Sequence, residues 1–478
     1  MQPLFTSAWT HGRGQNGSRP DAILADPESV QQWAISDLPI IHRTLLGQRT
    51  DESNWRDEEV GWGLILPYDP ALSRAKLQTA DDAPEPIRAL VQQRRGVILR
   101  YDRTKPEYLF DPRIDPPLSI TSSPLGMARG CIPFYILIYG SPDALPWGLQ
   151  THLSIGRAVG RLDLVGTALE NYVAALMNDW RDQHADPQQI VSWSVDFGGS
   201  DITSLMREVL VKLLLKRLRN NDTQHELHIH EIGGDEPATG AALLQRLSLT
   251  KPGLVITTSH GQTEPLDRPD FMRATLGLPV DQGMRVVQPS DLLAVWEPGG
   301  AIWYQHSCCS AGCRAESVFR YLFNPNHGIG KVLTKLENVG ECTAPLPRAL
   351  LGAKRPLRAF IGHVEPTFNV TLAYHDPFEQ TTQQTTQDII KAIADGLYCQ
   401  AALPLGLALQ QTWFRYSSKY YYGHQQALRS LRQYGNKTPS EPLVMHALLM
   451  RLIAEDRSAM VILGDPTVTR PALPSEQR

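Results

Sequence analysis

Cysteine is scarce in this chain. Six in 478 residues are too few for the disulfide scaffold on which small secreted domains depend. Long apolar runs are missing too: stretches such as Ile132–Tyr139 fall far short of the about 20 residues that span a bilayer. Residues 1–20 are polar and lack the apolar segment of a secretory signal. Nor is there an excess of positive charge. Forty-six Lys and Arg stand against 50 Asp and Glu, a net charge of −4, which gives no polyanion-binding signature. The basic residues Lys212, Lys216, Arg217 and Arg219 fall in the last turns of an expected helix, where cations suit the dipole. Tyr420, Tyr421 and Tyr422 beside Lys419 form an aromatic–basic pattern, read here as helix surface and core rather than as a stacking platform for nucleic acid. These absences leave a reducing cytoplasm as the default, with neither membrane nor nucleic acid as partner.

What is present is an ordinary globular composition, 42% hydrophobic and 20% charged, in a chain long enough for several domains or one two-lobed unit. Residues 1–130 are rich in Gly, Pro and polar residues. They hold one helical stretch around Pro27–Leu46, two strand signals at Gly61–Leu66 and Gly96–Tyr101 with a helix over Ile87–Val91 between them, and a proline-rich connection over 102–130. From Ile132 short apolar runs alternate with amphipathic helices, the pattern of a helix-flanked, mostly parallel α/β sheet. The expected strands are Phe134–Tyr139, Ile190–Phe197, Glu226–Ile232, Gly253–Thr258, Ala301–His306 and Leu357–Ile361, with helices over Ile202–Leu218 and Thr239–Leu247. The last third reads as helical over Thr381–Ala402, Leu405–Tyr434 and Pro442–Glu455, closing on a strand and a Gly464-Asp465-Pro466 turn. The boundaries that follow are 1–130, 131–185 for a first α/β unit, 186–375 for the core, 376–470 for the helical part and 471–478 for a tail.

Two strand ends carry chemistry. Leu254-Val255-Ile256-Thr257-Thr258-Ser259-His260-Gly261 is a buried strand running into His-Gly, and Ala301 to Gly312 is a strand running into Ser307-Cys308-Cys309-Ser310-Ala311-Gly312. In an open parallel sheet the carboxyl ends of the strands line the ligand crevice, so neighbouring strands bring His260 and a cysteine together. A thiol is a weak nucleophile at its free pKa, and an imidazole beside it takes its proton or stabilises the thiolate. Gly261 admits close backbone approach, so its amide and that of Cys309 are the expected oxyanion donors. Strand alternation turns only one of the two adjacent cysteines inward, and the buried role is assigned to Cys308. A zinc site from His306, Cys308, Cys309 and Cys313 has the wrong spacing, since adjacent cysteines rarely ligate one ion, so no metal or other cofactor is expected.

The pair Ser259-His260-Gly261 and Ser307-Cys308-Cys309-Ser310-Ala311-Gly312 resembles the catalytic signature of the clan CD cysteine peptidases: caspases, legumain, gingipains, separase and bacterial CHAT proteins. In legumain and CHAT members a glycine follows the nucleophile by three places, as Gly312 follows Cys309, so the resemblance implies Cys309 as nucleophile and His260 as its partner. Further segments are similar to bacterial gingipain-like and CHAT-like proteins: Ile138-Tyr139-Gly140-Ser141-Pro142, Val159-Gly160-Arg161-Leu162, Phe360-Ile361-Gly362-His363-Val364-Glu365 and Leu463-Gly464-Asp465-Pro466. The resemblance implies a two-lobed caspase-like fold and cleavage of protein or peptide substrates through an acyl-enzyme. It also implies a regulatory protein partner and a place in bacterial defence. His363, in its His-Val-Glu context, is read as support of the site. An inactive scaffold of the same fold is the competing reading. In related enzymes the first strand of the catalytic sheet ends near the pocket for the residue before the cut. Here it runs into Asp196-Phe197-Gly198-Gly199-Ser200-Asp201, so Asp196 and Asp201 are pocket candidates for a basic side chain. The alternative makes Ser200 a helix N-cap and Asp201 a first-turn acid.

Overall fold

A computed structural model describes residues 4–11, 17–18, 21–36, 51–221, 226–398, 402–410, 415–433 and 440–473. It is a mixed α/β protein built on one large, mostly parallel sheet flanked by helices. The strands used below are β1 (Ala8–His11), β2 (Trp62–Pro67), β3 (Val97–Tyr101), β4 (Tyr135–Tyr139), β5 (Ala158–Leu162), β6 (Asp186–Ser194), β7 (His228–Ile232), β8 (Pro252–Thr258), β9 (His260–Gln262), β10 (Ile302–His306), β11 (Ala359–His363) and β12 (Met460–Gly464). Ten of them form the main sheet in the order β7-β6-β8-β10-β11-β12-β5-β4-β2-β3.

Strand direction divides this sheet into two halves. β7, β6, β8, β10 and β11 are mutually parallel, and so are β12, β5, β4, β2 and β3. The halves meet at the antiparallel β11–β12 pair, Ala359 opposite Gly464 through His363 opposite Met460. Numbered along the chain within each half, both have the order 2-1-3-4-5. In that arrangement chain order reverses between strands 1 and 3, and a crevice opens outside their carboxyl ends. Because the halves run oppositely, their crevices lie on opposite edges of the sheet.

The central strands are buried along their whole length: all seven positions of β8, all five of β10 and all five of β11. That is why Gly253-Leu254-Val255-Ile256 and its neighbours read as unbroken apolar runs, while the edge strand β7 keeps partly exposed positions. Trp193 and Trp303, both fully buried, pack in this core and find partners for their indole N–H groups in Thr239 O and Thr257 Oγ1. Burying a side chain of this kind contributes roughly 2–3 kcal/mol each.

All nine expected strands of the sheet, the closing one included, are present within a few residues. Two further strands were not foreseen as such, one in this sheet and one outside it. β5 carries Gly160 and Arg161 in its middle, which break the apolar run, and β1 has its partner far away in sequence. The expected helix over Thr381–Ala402 is shorter. Thr382–Gln384 is a strand paired with Ala373–His375, and helix begins only at Gln387, since the β-branched Thr run suits an extended backbone. The parts of Pro27–Leu46, Thr381–Ala402 and Leu405–Tyr434 beyond residue 36, at 399–401, 411–414 and 434, and the tail past 473, lie outside the described residues. Tyr420 is buried and Tyr421 bonds Ser458. Among the described residues no helix is long and apolar enough to cross a membrane.

Candidate active site at the strand ends of the second half

β8 ends at Thr258 and β10 at His306, in register with one another, so the segments that follow, Ser259-His260-Gly261 and Ser307-Cys308-Cys309, lie side by side. Their contact is close. A Cβ placed on Gly261 would sit 2.0 Å from the Cys308 carbonyl oxygen, and one on Gly277 2.1 Å from that of Cys309. Any larger residue at either position pushes the cysteine loop away. Cys309 holds a left-handed backbone, φ +54°, uncommon for a residue with a side chain, and its carbonyl starts the turn closed by the Gly312 amide.

His260 is fully buried. Its Nε2 is 3.1 Å from both carboxylate oxygens of Asp201, and its ring packs against the stacked rings of Trp9 and Phe197, with centroids 5.1 and 5.6 Å away. Nδ1 has no hydrogen-bond partner. Burial pushes the Asp201 carboxyl up, but the hydrogen bond and charge of His260, with the hydrogen bonds from Thr203, outweigh it and bring the pKa down to about 2. Asp201 is also the N-cap of the helix that starts at Ile202, accepting from the Thr203 amide. The cap thus lies one residue later than Ser200. Asp201 is in the site as the carboxylate behind His260, a position sequence reasoning missed. β7 separates β6 from β8 in the chain, whereas in the sheet β6 is the direct neighbour of β8. Asp196 stands apart from this pair, bonded to the Gly198 amide and Ser204 and 3.3 Å from Arg207, so its charge is already matched.

Both cysteines are fully buried, whereas alternation turned only Cys308 inward, and their thiols meet different partners. The Cys308 thiol meets polar groups: Ser7 Oγ at 2.9 Å, Thr6 Oγ1 at 3.4 Å and the Thr367 amide, which donates at 3.2 Å. Burial raises its pKa to about 11 against the lowering effect of Ser7 and Thr6. Both cysteines belong to an apolar cluster with residues such as Met272 and Leu276, and burial, then the charges of Cys308 and Glu365, holds the Cys309 thiol well above the usual range. The expected oxyanion donors do not converge. The Gly261 amide donates to Ser7 O at 2.8 Å, and the Cys309 amide to Glu365 O at 3.2 Å. It is the Cys308 amide that points into the crevice, donating to Ser7 Oγ at 2.9 Å.

Behind the cysteine loop lie His306 and His363, rings 4.7 Å apart and edge to face. Burial, then the Arg457 charge, lowers the His306 pKa to about 3; burial, then His306 and Arg457, lowers that of His363. Both stay neutral at physiological pH. Neither ring nitrogen of His363 is hydrogen-bonded, while its amide and carbonyl brace Ser310 and Ala311. Glu365, whose pKa burial raises to about 7, accepts from Ser317 Oγ and the Val318 amide. Cys313 pairs across a short antiparallel ladder with Cys342, sulfurs 3.6 Å apart.

No family model matches this chain, and no curated protein matches it. Among solved structures it is similar to the Saccharomyces cerevisiae separase–securin complex, at 12% identity and a TM-score of 0.32 over 70% of this chain. The chain spans 15% of the length of that structure's chain. At this distance no residue role is carried across.

Proposed function

We propose that the chain is a cysteine endopeptidase of the caspase-like, clan CD type, closest in signature to the bacterial gingipain-like and CHAT proteins. The observation that carries the reading is the buried Asp201–His260 pair at the end of β8, beside the Cys308–Cys309 loop at the end of β10. Asp201 orients the imidazole as a carboxylate does in other nucleophile–histidine sites. His260 takes the thiol proton as sulfur attacks the scissile carbonyl, and returns it to the departing amine. Water then releases the acid from the thioester. Amides aimed at the crevice bind the oxyanion.

Spacing to Gly312 assigns the attack to Cys309, and the left-handed backbone there fits a residue held for function. A second reading, attack by Cys308, is favoured by one observation: its amide and that of Gly261 grip the two oxygens of the same residue, Ser7. Cleavage after a basic residue rests on Asp196 alone once Asp201 serves His260. Separate Cys308→Ala and Cys309→Ala chains, assayed with a peptide library and an alkylating peptide probe, test the whole reading. Loss of cleavage in neither variant overturns it.

A further inference from the structure

The crevice outside β6 and β8, where chain order reverses in this half, is filled. Its occupant is the segment of residues 5–10. β1 lies parallel to β9, Ala8 opposite Gly261 and Trp9 opposite Gln262, and accepts from the Gly261 amide at Ser7 O and from the Thr263 amide at Trp9 O. On its other side the segment meets residues 367–369. The Ser7 amide donates to Thr367 O, the Asn369 amide to Phe5 O, and the Phe5 amide to Asn369 Oδ1. Five backbone groups on Phe5, Ser7 and Trp9 are thus held as in an added strand, Ser7 from both flanks, with the Cys308 thiol beneath.

The side chains complete the cover. Ser7 Oγ takes the Cys308 amide and touches the thiol, while Trp9 stacks on Phe197 and against His260. Ala8 and Ser7 are wholly buried, and Trp9 is 3% exposed. Residues 7–9 therefore engage the Cys308 amide and thiol, the Gly261 amide and the His260 ring. The stretch is one strand of a small four-stranded sheet, paired on one side with β9 and on the other with Gly17–Ser18, and Leu4 and Ala8 join the apolar cluster around the cysteines.

We propose that residues 260–263 and 367–369 form a receptor for one extended polypeptide strand, the substrate's seat, and that residues 5–10 occupy it as an internal competitor. The inference rests on the peptidase reading for the identity of the displaced ligand. Substrate enters only after this strand leaves, and it binds by adding a strand to β9 rather than by filling a deep pocket. The raised thiol pKa values fit a site held inert while covered.

The test uses the full chain carrying Ala8→Asp, whose carboxylate has no room in the buried position, and the milder Trp9→Ala, which keeps the backbone pairing. Chymotrypsin sensitivity within residues 5–11 reads strand release, and iodoacetamide labelling of Cys308 and Cys309 by mass spectrometry reads exposure. Labelling is expected to accelerate at least about tenfold in Ala8→Asp and less in Trp9→Ala, with melting temperature within a few degrees of wild type. A synthetic peptide of residues 4–11 added to Ala8→Asp should slow labelling again. Unchanged labelling after strand release, failure of the peptide to compete, or global unfolding of both variants overturns the proposal. Accelerated labelling without cleavage of any peptide leaves the strand receptor standing and removes the peptidase reading. Full cleavage by wild type that Ala8→Asp only lowers does the reverse.

Discussion

The two halves of the main sheet share one strand order and differ in what stands at the strand ends. In the half built from residues 62–162 and β12, β4 runs into Gly140 and β5 into Asp163. The matching ends in the other half are His260 and the Cys308–Cys309 loop. Closure differs as well. Arg161 of β5 closes the first half locally, donating to Gln150 Oε1, Gly140 O and Pro146 O and lying 4.6 Å from the Trp147 ring. The second half is closed by residues 5–10, more than two hundred positions away in sequence. A crevice sealed by its own loops is part of the fold. The other is sealed by a strand that packing brings in from far away in sequence. The order 2-1-3-4-5 therefore provides two crevices, and under the proposed function side chains alone make one framework and the other a site.

The largest effect expected from this contrast is on the thiols. Cys309→Ala should reduce cleavage at least about a thousandfold with folding intact, and Cys308→Ala should keep most activity. Exchanged phenotypes in the same peptide assay would move the nucleophile to Cys308. His260→Ala should match the more damaging of the two, and the double variant should be little worse than either single one, because residues acting as a unit are not additive.

Asp201→Asn comes next, with a loss of about 100-fold in kcat and little change in KM. Asparagine caps a helix as well as aspartate does, so melting temperature should hold. A fall in stability with normal kcat would reduce Asp201 to a cap. No acid limb from Asp201 is expected above pH 3, since its pKa of about 2 lies below the unfolded value and the carboxylate is lost only as pH falls through 2.

A smaller signal separates the covered site from an open one. The Cys308 pKa of about 11 lies above that of a free thiol, so thiolate absorbance near 240 nm, taken as the difference from Cys308→Ser, should rise only as pH climbs toward 11. In Ala8→Asp the midpoint should move down by at least about one unit, because water reaches the sulfur. The smallest effect belongs to the first half: Asp163→Asn, at the end of β5, should change kcat/KM by less than about twofold. A hundredfold loss there would make both crevices functional.

Sequence by itself determined the chemistry-bearing strand ends. Apolar runs such as Leu254–Ile256 and Ile302–Tyr304 are long enough to be strands, and the residues after them must leave the sheet at one edge if the strands are parallel. It also determined that glycine follows His260, where a Cβ would strike the Cys308 carbonyl. Tertiary structure decided the rest, for reasons of distance and order. Pairing of β6 with β8 across the intervening β7 turned Asp201 from a pocket candidate into the carboxylate behind His260. The turn at Cys309, φ +54°, interrupted the alternation from which the facing of the two thiols was inferred. Pairing of β1 with β9 has no local signature, because its hydrogen bonds join residues far apart in sequence. Local pattern fixes which segments are extended; only packing of the whole chain fixes which of them become neighbours.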